Sequence, residues 1–95
     1  MNNSRRSGIT VLADMLKLIN QNGGKARHTD IYRNSNLSYS RLKKYLNYLI
    51  EKGLIIKMRE ENYFCYKIIQ KGYDFIEQFR KVEEFLKNFG MDKFA

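Results

Sequence analysis

The segment from Asn36 to Ile55 constrains this chain more than any other part of it. Leu42, Leu46 and Leu49 recur at helical spacing and predict one apolar face. Tyr39, Ser40, Arg41, Lys43, Lys44 and Asn47 fall largely on the opposite side. Ser38 stands just before the run. Its hydroxyl can accept a hydrogen bond from a free N–H of the first turn, which predicts an N-cap. Gly53 predicts the stop, because glycine enters positive φ without a Cβ clash. A helix over residues 38–52, with a core face and a basic, aromatic face, is therefore expected to run into a strand.

The flanking pattern supplies its neighbours. A first helix is expected from about Ile9 to Gln21, with Ile9, Leu12, Leu16 and Ile19 on one face beside Ala13. Asn22-Gly23-Gly24 ends it, and Lys25-Ala26-Arg27 reads as the first strand of a three-stranded sheet. A short second helix is predicted to begin near His28 or Thr29, the latter a candidate cap, and to span about Thr29 to Asn34, with Ile31 inward and Tyr32 partly so. Asn34-Ser35-Asn36 reads as a turn, and Leu37 is expected to plug the gap before the third helix. Leu54–Met58 and Tyr63–Ile68 read as strands joined by a turn over residues 59–62. Alternation pairs Phe64, Tyr66 and Ile68 on the expected core side, against Tyr63, Cys65 and Lys67.

A last helix is expected from Ile69 or Gln70 to about Phe89. Its Phe75, Phe79, Val82, Leu86 and Phe89 are spaced 4, 3, 4, 3, an a/d alternation that Ile76 and Phe85 broaden. A small domain covers only the first turns of such a stripe. A second copy of the helix is the simplest cover for the rest, which predicts a homodimer. The alternative is a helix folded back on its own domain.

Charge narrows the partners. Residues 1–60 carry 12 Lys/Arg against 4 Asp/Glu, whereas residues 61–95 carry 6 of each, so the whole +8 excess lies on one side of the chain. An anionic partner is expected, nucleic acid before a membrane surface, since no basic interfacial helix is present. Simple solvation of the fold is the alternative. The 95 residues fit one domain. The polar start, with Arg5 and Arg6, reads as a flexible arm over residues 1–8. Neither a signal-type apolar region nor a run of about 18 apolar residues occurs, so a cytoplasmic protein is expected. Cys65 is the single cysteine, which excludes an internal disulfide and a Cys-rich zinc site. It reads as a packed residue or, alternatively, as a thiol for intermolecular pairing or redox sensing. His28 has no companion at metal spacing and reads as a helix-start residue. Asp14, Asp30 and Asp74 are isolated, and no Gly-rich phosphate loop or nucleophile–base pair occurs. No enzyme, cofactor, metal or small-molecule ligand is expected.

The order helix, helix, helix, hairpin, long helix is that of a winged helix-turn-helix domain: mainly α with a small β-hairpin. Ile31-Tyr32, Asn36-Leu37-Ser38-Tyr39, Tyr45-Leu46, Leu54-Ile55-Ile56 and Lys71-Gly72 make residues 9–89 resemble the small basic winged-helix chromatin proteins of crenarchaea. That resemblance implies a winged domain over 9–68 and a coiled-coil dimerisation helix over 69–95, antiparallel with its partner. It also implies duplex DNA binding with little sequence preference, and a nucleoid role in compaction or regulation. One position departs: Ile69 stands where the family usually has a capping Thr.

In a helix-turn-helix, the exposed side of the third helix enters the major groove. Arg41, Lys43 and Lys44 are the candidate cations there, Arg41 able to fork onto guanine and the lysines onto phosphate. Ser40 and Asn47 are candidate base-edge or phosphate contacts. Tyr39 reads as a phosphate contact through its hydroxyl or as half-buried packing, and Tyr48 as packing. Lys57 and Arg59 flank the hairpin turn, where Glu60 and Glu61 argue against deep insertion. Lys25, Arg27 and Arg33 add positive charge near the second helix, whose N-terminus offers free N–H groups. Operator-specific binding is the alternative within this class. The alternative outside it is a protein–protein interaction module using the aromatic last helix. RNA binding is weakened by the lack of a stacking sheet of the RRM kind.

Overall fold

The computed structural model describes residues 7–91. In chain order they form α1 (Gly8–Gln21), β1 (Lys25–Arg27), α2 (His28–Ser35), α3 (Tyr39–Glu51), β2 (Ile55–Glu60), β3 (Tyr63–Ile68) and α4 (Gln70–Asn88). The sheet is antiparallel, with β3 between β1 and β2. Ser7 caps α1, its Oγ accepting from the Thr10 N–H at 3.3 Å, so Gly8 is already helical. The rest of the expected arm, with Arg5 and Arg6, lies outside the described residues.

Local chemistry sets the joints. The Ser38 hydroxyl accepts from the Arg41 N–H at 3.3 Å, the cap expected of it. Gly53 leaves α3 at φ +76°, and the chain turns into β2. Asn36 follows α2 in the left-handed region at φ 61°, a conformation that Asn tolerates better than other side chains. The hydroxyl of Ser35 steadies this turn by accepting from the Leu37 N–H at 3.3 Å. Thr29 is not the cap of α2: the helix begins one residue earlier, and Arg27 holds the cap position without a side-chain bond. No side chain caps α4 at Ile69 either.

The core gathers Val11, Met15, Leu16 and Ile19 from α1, Ile31 and Leu37, the leucines of α3, and Ile55, Tyr66 and Ile68 from the sheet. Three expectations need correction. Ile9 is exposed, and Val11 and Met15 take its place on the inner face of α1. Tyr32 is exposed rather than inward. Phe64 shares a sheet face with Tyr66 and Ile68, opposite Arg59, Lys57 and Ile55. Yet Phe64 is 44% exposed where Tyr66 is 5%, because Phe64 lies nearer the hairpin turn than the core cluster reaches.

The α4 helix leans on the body with one end. Phe75 and Ile76 pack on the core cluster. Gly72 is buried where a Cβ would collide with the Leu54 carbonyl and the Ile68 side chain, so the helix starts in close contact with the sheet. Further along, Lys17 of α1 pairs with Glu83 at 3.1 Å and lies over the Phe79 ring. Beyond that contact Val82, Phe85 and Phe89 are 50%, 60% and 63% exposed. Among the described residues no helix is long and apolar enough to cross a membrane. The result is the expected architecture: four helices and a small three-stranded antiparallel sheet, a winged helix.

Candidate nucleic-acid interface

Leu42, Leu46 and Leu49 fix the rotation of α3 by burying one side of it. At about 100° per residue, the remaining positions fan out around the helix. Tyr39, Lys43 and Asn47, four residues apart, share the side that faces the hairpin. Ser40 and Lys44 follow on the next stripe. Arg41 lies about 160° from Lys43 around the axis, with its guanidinium 5.8 Å from the centre of the Tyr45 ring. The three cations expected on one surface therefore diverge. Lys44 lines a different recess, an apolar one of about 670 Å³ between α3 and the start of α1, with Ile9, Leu12 and Tyr48.

Between α3, the start of α2 and the hairpin runs a groove of about 410 Å³. It brings together five of the expected residues: Arg27, Tyr39, Lys43, Asn47 and Lys57. Ser40, Arg41, Lys44, Arg59 and Arg33 are not among its lining residues. Arg59 stays close, on the groove side of the sheet, with its guanidinium 5.4 Å from the Phe64 ring centre. Arg33 pairs instead with Asp30 at 3.7 Å.

Among the described residues no carboxylate lines the groove. Glu60 sits opposite Tyr63, on the sheet face away from Lys57 and Arg59, and accepts from Lys25 at 3.2 Å. The Glu60 carboxylate raises the pKa of Lys25 above its ordinary 10.5, through the hydrogen bond first and then charge attraction. Glu60 is thus engaged with Lys25 and is not among the lining residues of the groove, while Glu61 lies in the hairpin turn.

The groove also holds residues that sequence reasoning passed over: His28, Thr29, Tyr63, Phe64 and Tyr66. Phe64 carries the Lys57 ammonium at 4.4 Å from its ring centre, and Tyr63 carries the Arg27 guanidinium at 3.9 Å. At these distances each ring attracts and positions its cation. The cross-strand register supplied a signal, since Lys57 and Arg59 flank Phe64 on one face. His28 lies between the Tyr39 and Tyr66 rings, at 5.5 and 6.0 Å between centroids. Its Nδ1 is 3.4 Å from the Tyr66 hydroxyl, while its Nε2 is buried with no hydrogen-bond partner. Burial, and secondarily the Lys57 charge, hold the imidazole below its ordinary pKa of 6.5. Burial, and then Tyr39, push the Tyr66 phenol up from 10.0. Cys65 is buried on the other sheet face, as the packed reading expected.

A face of this kind, cationic, aromatic and free of carboxylates, can hold an anion and stack a planar group. The folds of known proteins agree with the architecture around it. A structure titled as that of Sso10a-2, a DNA-binding protein from Sulfolobus solfataricus, matches with 25% identity and a TM-score of 0.72, covering 90% of each chain. Another, titled as a reported archaeal mechanosensitive channel that is a structural homolog of MarR-like transcriptional regulators, matches at 20% identity and a TM-score of 0.72. It covers 97% of this chain and 72% of its own. The oxidized form of MarR from E. coli matches at 17% identity and a TM-score of 0.63, over 85% of this chain and 60% of its own. The curated proteins give no significant match. Residues 5–87, nearly the whole chain, match the family described as winged helix-turn-helix, and the chain belongs to that family.

Proposed function

We propose that this chain binds double-stranded DNA as a homodimer, through α3 and the hairpin, with limited sequence preference. The observation that carries this reading is the groove between them, where Arg27, Lys43 and Lys57 converge and no carboxylate lines the wall. Lys43, Lys57 and Arg27 are assigned to phosphate, with Tyr39 and Asn47 between them. Ser40, Lys44 and Arg41 extend the contact along the outer side of α3, and Arg59 along the hairpin. Arg33 is peripheral. The DNA-binding title of the 25% identical archaeal structure supports the same partner. A chromatin-organising or regulatory role in the nucleoid follows from a footprint made mostly of phosphate contacts.

The dimer rests on the apolar stripe of α4 that its own domain leaves open: Val82, Phe85 and Phe89, with Phe79 and Leu86 half-buried beside them. Phe75 belongs to the core rather than to this seam. The deciding experiment is a gel shift on random-sequence duplex DNA at two salt concentrations with unlabelled competitor. Binding that weakens steeply with salt and is displaced equally by competitor DNA of any sequence is expected. Replacing Arg41, Lys43 and Lys44 together by Ala should lower affinity by about tenfold or more, with unchanged circular dichroism. An unaltered affinity in that folded variant refutes α3 as the binding element.

A further inference from the structure

Duplex binding leaves part of the groove unused. A duplex presents phosphates and base edges, while the faces of its bases are stacked inside. Exposed aromatic rings gain little from it. Yet Tyr63 and Phe64, neighbours on opposite faces of β3, both stand exposed at the hairpin end of the groove, with Tyr39 exposed on α3. Each hairpin ring carries a cation on its face, Arg27 on Tyr63 and Lys57 on Phe64. A base that stacks on either ring would thus bring its phosphate within reach of a positive charge. His28 lines the groove too, and its Nε2 is buried with no hydrogen-bond partner among the described residues. A volume of about 410 Å³ is within the usual range for a small organic group.

We infer that the groove between α3 and the hairpin binds unpaired polynucleotide, stacking bases on Phe64 and Tyr63 and holding the phosphates with Lys43, Lys57 and Arg27. The occupant follows from complementarity. An aromatic wall studded with cations, with no carboxylate among its described lining residues, fits a strand whose bases are free and whose backbone is anionic. Nothing in the lining singles out the 2′-hydroxyl, so DNA and RNA strands are accepted alike. This activity goes beyond the duplex reading and does not depend on it.

The test uses fluorescence anisotropy of the full chain with labelled oligothymidine, oligouridine and a random duplex, all at one salt concentration. Both single strands are expected to bind, and to quench the protein's tyrosine fluorescence. Phe64→Leu and Tyr63→Leu keep apolar bulk but remove the π-face. Each should weaken single-strand binding by about tenfold, from the typical stacking contribution per base, and weaken duplex binding distinctly less, since the duplex loses only the placement of one cation. Duplex binding without single-strand binding overturns this inference alone. Single-strand affinity that survives both substitutions, or a loss equal to that on duplex, also overturns it, since the rings would then only pack or position cations. Circular dichroism confirms that each variant is folded. Absence of tyrosine quenching by single strands in the native protein overturns the inference as well.

Discussion

Lys43 and Arg41 are two residues apart in sequence and on opposite flanks of α3 in space, and their substitutions should separate accordingly. Lys43→Ala and Lys57→Ala are each expected to reduce the salt slope of duplex binding by about one, the value of one released phosphate contact. Arg33, engaged with Asp30, should leave the slope unchanged when replaced by Ala. Anisotropy titrations across a salt series measure all three. Arg59→Ala should weaken binding by a similar factor on every duplex sequence, because a hairpin cation on the backbone carries no base information. A loss confined to one sequence would show the hairpin reading bases.

His28 gives a prediction of another kind at the same scale. Folding holds its pKa below 6.5, chiefly by burial, so the folded chain takes up this proton less readily than the unfolded chain. Stability from this residue is therefore full above about pH 6.5 and falls as pH drops below it, when the unfolded chain protonates first. The urea midpoint should decline through that window. His28→Gln should make the decline shallower, and an identical decline in both proteins would remove His28 as its cause.

At the scale of elements, the seat of α4 on the sheet is the tightest joint. Gly72 is buried, and a Cβ there would overlap the backbone carbonyl of Leu54, which cannot swing aside as a flexible side chain can. Gly72→Ala is expected to cost about 1–3 kcal/mol, as overpacking does elsewhere. That loss lowers the thermal midpoint by several degrees in a domain of this size. Calorimetry checks it, and an unchanged midpoint would mean that α4 shifts freely on the sheet. Further out, α4 is held by the Lys17–Glu83 pair and by Phe79. The half-exposed ion pair contributes little by itself. The apolar stripe of the outer half stays largely exposed, at Val82, Phe85 and Phe89.

For the whole molecule, the consequence is association. The described chain extends 47 × 29 × 21 Å, and Val82, Phe85 and Phe89 lie exposed toward the end of α4. Two copies joined there would place two basic grooves on one particle. Sedimentation should give roughly twice the 11.4 kDa chain mass. Phe85→Ser with Phe89→Ser, positions outside the core cluster, should give folded monomers. Those monomers should bind duplex about 100-fold more weakly or worse, because the second contact is no longer intramolecular. A native chain that sediments as a monomer at micromolar concentration would refute the dimer and leave the stripe unexplained.

The sequence by itself determined what depends on neighbours a few residues away. The Ser38 cap, the stop at Gly53 and the leucine face of α3 follow from hydrogen-bond reach, φ preference and a period of 3.6, whereas the hairpin turn expected over residues 59–62 tightens to residues 61–62 and Arg59 and Glu60 join β2. Periodicity gives the direction of a side chain around its own axis. It does not say how far along that axis a neighbouring element extends, and this only the tertiary structure decided. Phe64 and Tyr66 share one face of β3, yet the core covers Tyr66 and leaves Phe64 free to hold Lys57. The same reason sends Ile9 into solvent while Val11 is buried. Glu60 looked like an obstacle at the hairpin tip until its pairing with Lys25 placed it on the far face. His28 read as a helix-start residue, and it does open α2. Its place between Tyr39 and Tyr66 depends on packing α2, α3 and β3 together, a long-range juxtaposition that no local pattern encodes.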